Sequence, residues 1–138
     1  MPVDPTIVGR TYPPAPPHEV TVDAVRAFVE ATGASYDGGP APATYPIVPA
    51  FSAMLTFLEA EALDLSRIDH GAQEFRHERP VVPGDVLTVA LSVATLRTIG
   101  GNDIIGTTSA VTDADGALVC TGTATLVHRG PEDPEDGA

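Results

Sequence analysis

With 138 residues, 43% of them hydrophobic, the chain can bury one sizeable core and is too apolar for wholesale disorder. Its net charge of −12 sets 19 acids against 7 bases, which disfavours nucleic acid and anionic membrane surfaces as partners. Every base is arginine, and the lack of lysine excludes Schiff-base chemistry, a lysine-held pyridoxal cofactor and a P-loop.

Residues 1–18 hold six prolines, so an extended, partly polyproline-like lead-in is expected. Helix signals begin at Thr21 or Asp23, with Val22, Val25, Ala27, Phe28 and Val29 on one face and Gly33 as the stop. Residues 33–50 carry three glycines and four prolines and read as a loop. Ser52 is expected to cap a second helix running to about Leu63, apolar on most sides, with Glu59 and Glu61 solvent-exposed at its end.

The segment His70–Asp85 opens as a half-buried strand, in which Gln73, Phe75 and His77 alternate with Glu74, Arg76 and Glu78. Arg79-Pro80 ends it, and Pro83-Gly84-Asp85 turns the chain into a strand over Val86–Ile99. Gly100-Gly101-Asn102 signals a hairpin into Asp103–Asp113, and Ala114-Asp115-Gly116 a second turn into Leu118–Val127. Four acids and two prolines in Pro131–Ala138 predict a disordered tail.

The sum is an α+β fold: an antiparallel sheet of about five strands wrapped around one long central helix, within a single domain over residues 1–130. Such a sheet leaves open edges, so a dimer is expected. Cys120 is the sole cysteine and reads as a small buried hydrophobe. Its isolation, with no recognisable signal peptide or membrane span, points to the cytoplasm.

Several short motifs occur in an order that resembles a known family. They are Val8-Gly9-Arg10-Thr11-Tyr12-Pro13, Ala41-Pro42-Ala43-Thr44, His70-Gly71-Ala72-Gln73, Arg79-Pro80 with Gly84-Asp85, and Gly101-Asn102-Asp103-Ile104. Over residues 3–129 the chain resembles the MaoC-like dehydratase N-terminal family of hot-dog folds. More narrowly, it resembles the small actinobacterial subunit of (3R)-hydroxyacyl-ACP dehydratases. Active members of the wider family carry a loop reading roughly Gly-Asp-x-Asn-Pro-x-His before the central helix. Its Asp and His form the acid–base pair, and a backbone N–H near the helix start binds the thioester oxygen. Here the corresponding loop, Gly33-Ala34-Ser35-Tyr36-Asp37-Gly38-Gly39-Pro40, has no histidine and one carboxylate. No catalytic residue is therefore assigned to this chain.

The resemblance places the His70-Gly71-x-Gln73 strand beside a substrate tunnel or a dimer seam. His70 and Gln73 each either contact ligand or serve only local hydrogen bonding. On the same basis Phe51, Met54, Leu55 and Phe57 are candidate tunnel walls. Asp69 and His70 are neighbours whose side chains should point to opposite faces of a strand, so they form no working pair. Arg76 is expected to be exposed, Arg79 to bond a backbone carbonyl, Asp85 to close a turn, and His18 and His128 to be solvated. No cluster shows metal spacing and no cofactor is implied.

Three functions fit these features. One is a non-catalytic, substrate-binding subunit paired with a dyad-bearing hot-dog chain. Another is a homodimeric acyl-binding or structural module, and the last a thioesterase using Glu59 or Glu61. The substrate would be an acyl-CoA or an acyl-ACP. A −12 chain would dock an acidic carrier protein poorly, so the partner is expected to supply that surface.

Overall fold

The structure, a computed structural model, describes residues 3–130; the expected acidic tail lies outside the described residues. The chain runs through β1 (His18–Glu19), α1 (Val22–Ala31), α2 (Ile47–Ala60), β2 (Ile68–His77), β3 (Val86–Ile99), β4 (Asn102–Thr112) and β5 (Leu118–His128), with short 3-10 turns at Pro5–Ile7 and Leu65–Arg67. The five strands form one antiparallel sheet in the order β1-β3-β4-β5-β2. Two tight hairpins join β3, β4 and β5. In the first, Gly100 and Gly101 take φ of 59° and 82°, the paired positive values that only a primed turn needs and glycine supplies at no steric cost.

Thr21 caps α1, its side chain accepting from the Ala24 N–H, and Gly33 ends it at φ 87° while donating to the Glu30 carbonyl. The second helix departs from expectation. It starts at Ile47 rather than after Ser52, with Pro46 as its cap residue and Pro49 in its first turn. Proline reads as loop in a sequence, yet in a first turn its missing N–H is one the helix could not have bonded anyway. Pro49, Ala50, Ala53, Met54, Phe57 and Leu58 are buried, whereas Phe51 and Leu55 are 43% and 38% exposed. One apolar stripe of the helix is therefore uncovered, and the helix is not buried all round.

The lead-in closes over the end of α2 and the outer side of β3. Gly9 and Tyr12 donate their N–H groups to the Val93 and Leu91 carbonyls, Val93 donates back to Arg10, and Thr11 bridges Ser92. Tyr12 packs edge-on against Phe57 at 4.9 Å between ring centres. Its hydroxyl donates to Glu61 Oε2 at 2.7 Å, and Arg10 reaches the same oxygen at 2.8 Å. Burial and the Glu61 carboxylate together raise the Tyr12 hydroxyl pKa well above the usual phenol range. Glu61 is thus a tether whose side chain is only 11% exposed, not the solvated acid that its place in the sequence suggested.

Two histidines also depart from the expected solvation. His18 meets the Tyr45 hydroxyl at 2.7 Å, and burial lowers its pKa. His128 is buried, with Nδ1 lying 3.7 Å from Asp103, whose carboxylate accepts from the Val3 N–H and the Thr98 hydroxyl. Arg79 does bond the Pro80 carbonyl, but its guanidinium mainly grips both oxygens of Asp85, at 2.9 and 3.1 Å, and one oxygen of Asp113. Asp85 also accepts from the Val82 N–H, closing the turn as expected. One guanidinium so ties the corner before β3 to the hairpin before β5. Asp69 is the second residue of β2, and it lies 3.3 Å from Arg129.

Candidate functional site: a cleft between the second helix and the edge strand

Strand β2 forms one edge of the sheet, paired on one side only, to β5. Its register shifts between His70 and Ala72, so Gly71 is an extra residue looped out of the ladder. The shift has a chemical consequence. In a regular strand, residues three apart face opposite sides. The bulge resets the alternation, and His70 Nε2 and Gln73 Oε1 meet at 2.9 Å. Gln73 Nε2 donates to the Glu74 carbonyl at 3.3 Å, which orients the amide so that its oxygen faces the imidazole. In neutral His70 the proton then sits on Nε2, and Nδ1 is left as an acceptor. Gly122 on β5 leaves the space this pair needs, since a Cβ there would come within 3.3 Å of Gln73 Nε2 and 3.0 Å of the Phe75 ring.

His70 and Gln73 stand at the mouth of a cleft between α2 and the concave face of the sheet. Its walls are Ile47, Ala50, Phe51 and Met54 from α2, Leu91 from β3, and Ala124 and Leu126 from β5, and Thr107 and Ser109 from β4 form its floor. The space left for the centre of a water is about 20 Å³, room for a single water and not for an acyl chain. Outside the mouth, along the edge of β2, lies an open hollow of about 500 Å³ lined by Thr44, Ile47, His70, Gly71, Ala72, Gln73 and Phe75.

Of the residues expected at a binding site, His70, Gln73, Phe51 and Met54 line the cleft, and Gly71 lines the hollow beside it. Phe57 and Leu55 do not line either. Phe57 is fully buried beneath Tyr12, and Leu55 lies on the uncovered stripe of α2. Sequence reasoning missed Thr107 and Ser109. Their signal is nonetheless in the chain, because both fall in step with Asp103, Ile105 and Val111 on the inward face of β4.

The start of α2 is where a thioester oxygen would be bound in an active relative. Here every N–H of that turn is occupied or missing. Tyr45 donates to Pro42, Ile47 to Thr44, Val48 to Tyr45 and Ala50 to Pro46, while Pro46 and Pro49 have no N–H. Asp37 in the preceding loop is exposed, and Tyr36 donates to the Gly39 carbonyl at 2.6 Å. The nearby imidazole of His77 is engaged with the Ala43 carbonyl at 2.8 Å. Glu61 is held by Tyr12 and Arg10, which takes it out of any nucleophilic role. Among the described residues, no three His, Cys, Asp or Glu side chains gather as a metal site requires, and no helix is long and apolar enough to cross a membrane.

Comparison with known proteins agrees with this architecture. The chain is similar to a UPF0336 protein of Clavibacter michiganensis subsp. michiganensis, 40% identical over 150 residues and covering 96% of this chain and 99% of that one. A UPF0336 protein of Saccharopolyspora erythraea is 36% identical over 152 residues, covering 98% and 97%. Among solved structures, a C-terminally truncated HadBC (3R-hydroxyacyl-ACP dehydratase) complex from Mycobacterium tuberculosis aligns with a TM-score of 0.75 and 26% identity, covering 88% of this chain and 96% of that one. The fold is a hot-dog, as the order of motifs implied. Residues 6–122 match the family model for the FAS1-like dehydratase domain region, and the chain belongs to that MaoC-like family of hot-dog dehydratases.

Proposed function

We propose that this chain is a non-catalytic, substrate-shaping subunit of a heteromeric (3R)-hydroxyacyl thioester dehydratase, its active chemistry supplied by a second hot-dog chain. Dehydration removes the α-proton to a base and the β-hydroxyl as water with the help of an acid, and it places negative charge on the thioester oxygen in between. The observation that carries the reading is the spent helix start. The loop at residues 33–40 offers no acid–imidazole pair, and the first turn of α2 offers no unoccupied donor for the oxygen. The chain thus lacks two independent requirements of the reaction while keeping the cleft beside them.

The edge of β2 and the uncovered Phe51 and Leu55 supply the surface for a second hot-dog chain, through backbone pairing and apolar contact. The similar HadBC protein is itself a complex. The test is co-expression with a hot-dog chain of the same genome that carries the Asp-x-Asn-Pro-x-His loop. Each chain alone and the mixture would be assayed for hydration of crotonyl and longer enoyl thioesters. This chain alone should be inactive and the mixture active, with native mass spectrometry showing one of each chain. A stable homodimer that binds acyl thioesters, and stays inert with every such partner, would instead make it an acyl-binding module.

A further inference from the structure

We propose that Thr107 and Ser109 form a polar floor that selects a short acyl group ending in a hydroxyl or carbonyl oxygen. The inference rests on the substrate-shaping role above. Both residues sit on the inward face of the central strand β4, at 4% and 6% exposure, between the fully buried Ile105 and Val111. Among the described residues the buried polar side-chain atoms left without a partner are two histidine nitrogens, so the Thr107 and Ser109 hydroxyls keep access to the cleft, where a partner can meet them. Neither hydroxyl hydrogen-bonds to another described residue, and both open on the cleft beneath α2. The other walls at that depth are apolar: Leu91, Ala124, Leu126 and Met54.

The size of the cleft sets the rest. Room for one water admits the tip of a chain and not its length, so a long alkyl tail cannot be held inside the cleft. A terminal oxygen placed there can bond both hydroxyls, whereas a methyl tip of the same size bonds neither. Sites built to hydrogen-bond a substrate oxygen discriminate strongly against analogues that lack it.

The experiment uses the assembled complex, with the CoA thioesters of crotonate, hexenoate and octenoate and their ω-hydroxy analogues. The wild-type complex should favour the hydroxylated member at the short end of the series. Thr107→Val with Ser109→Ala should shift the ratio of kcat/KM toward the alkyl member by about tenfold or more, since each of the two lost hydrogen bonds is worth up to about tenfold. Urea midpoints of the double variant should be equal to or above wild type, because two hydroxyls without a protein partner give way to apolar side chains on an otherwise apolar face. A wild-type preference for the alkyl thioester, an unchanged ratio in the double variant, or lower stability with unchanged selectivity would each overturn the floor. A complex that forms and turns over these substrates without such a preference defeats this inference alone. A mixture that hydrates none of them defeats the subunit role, and the floor falls with it.

Discussion

His70 and Gln73 touch because one residue between them does not pair. The bulge at Gly71 puts the imidazole and the amide on one face, 2.9 Å apart, at the only point where edge strand, helix and hollow converge among the cavities described. Deleting Gly71 should restore regular alternation and send His70 to the opposite face. Neither side chain is assigned a proton-transfer step, so their loss should act on binding. In the complex, Gln73→Ala should raise KM about tenfold with kcat changed by no more than about threefold. The double variant with His70→Ala should cost less than the sum of the singles, as a steady-state cycle would reveal.

Restoring only the missing dyad should not restore activity. Aspartate and histidine grafted into residues 33–44 leave the first turn of α2 with its donors spent on Pro42, Thr44, Tyr45 and Pro46. The grafted chain alone should therefore hydrate crotonyl-CoA no faster than the parent. Measurable turnover by that graft would show that the oxygen can be bound elsewhere.

The tether between lead-in and helix should be worth a measurable part of the stability. Tyr12→Phe keeps the edge-on contact with Phe57 but leaves the largely buried Glu61 side chain with one donor fewer. A loss of about 1–2 kcal/mol in urea unfolding is expected. Combining it with Glu61→Gln should cost less than the sum of the two singles, because both act on the Tyr12–Glu61 hydrogen bond while only the second touches the Arg10 ion pair.

Acid should weaken the corner held by Arg79. The guanidinium keeps the Asp85 carboxyl below the usual aspartate range, and backbone N–H groups with Arg79 do the same for Asp113. A carboxyl whose folded pKa is depressed adds stability in full above its unfolded value of about 3.9, and loses it as pH falls through the lower folded value. Asp85→Asn should thus cost about 1–2 kcal/mol near neutrality, a modest figure because Arg79 is partly solvated. The gap from wild type should narrow below about pH 4 in denaturant titrations.

Cys120 should be silent until the sheet opens. Its thiol is fully buried and burial alone pushes its pKa to about 11, so little thiolate exists near pH 8. A disulfide reagent should label it only as fast as the protein unfolds, and at once in concentrated urea. Prompt labelling of the native chain would mean that the β5 region opens locally.

Much of this was legible in the sequence because the relevant forces are local. Alternation located β3, β4 and β5, paired glycines fixed the hairpin at 100–101, and Thr21 with Gly33 bounded α1. Proline misled at α2, since its meaning depends on whether it falls in a first turn or an interior one, which only the fold decides. The His70–Gln73 contact was hidden for a related reason: a bulge is a property of two strands together, and β2 alone shows none. His128 and Glu61 were misjudged because end-of-element positions look solvated until distant segments, here residues 3–12, fold over them.

The two sides of the sheet are treated differently. On the β3 side, β1 pairs with Val86 and Leu87, and residues 9–12 bond to Leu91–Val93. On the β2 side the ladder stands open over Ile68–His77. The two edges therefore present unequal templates to a further strand: one is interrupted by the chain's own short segments, and the other is continuous.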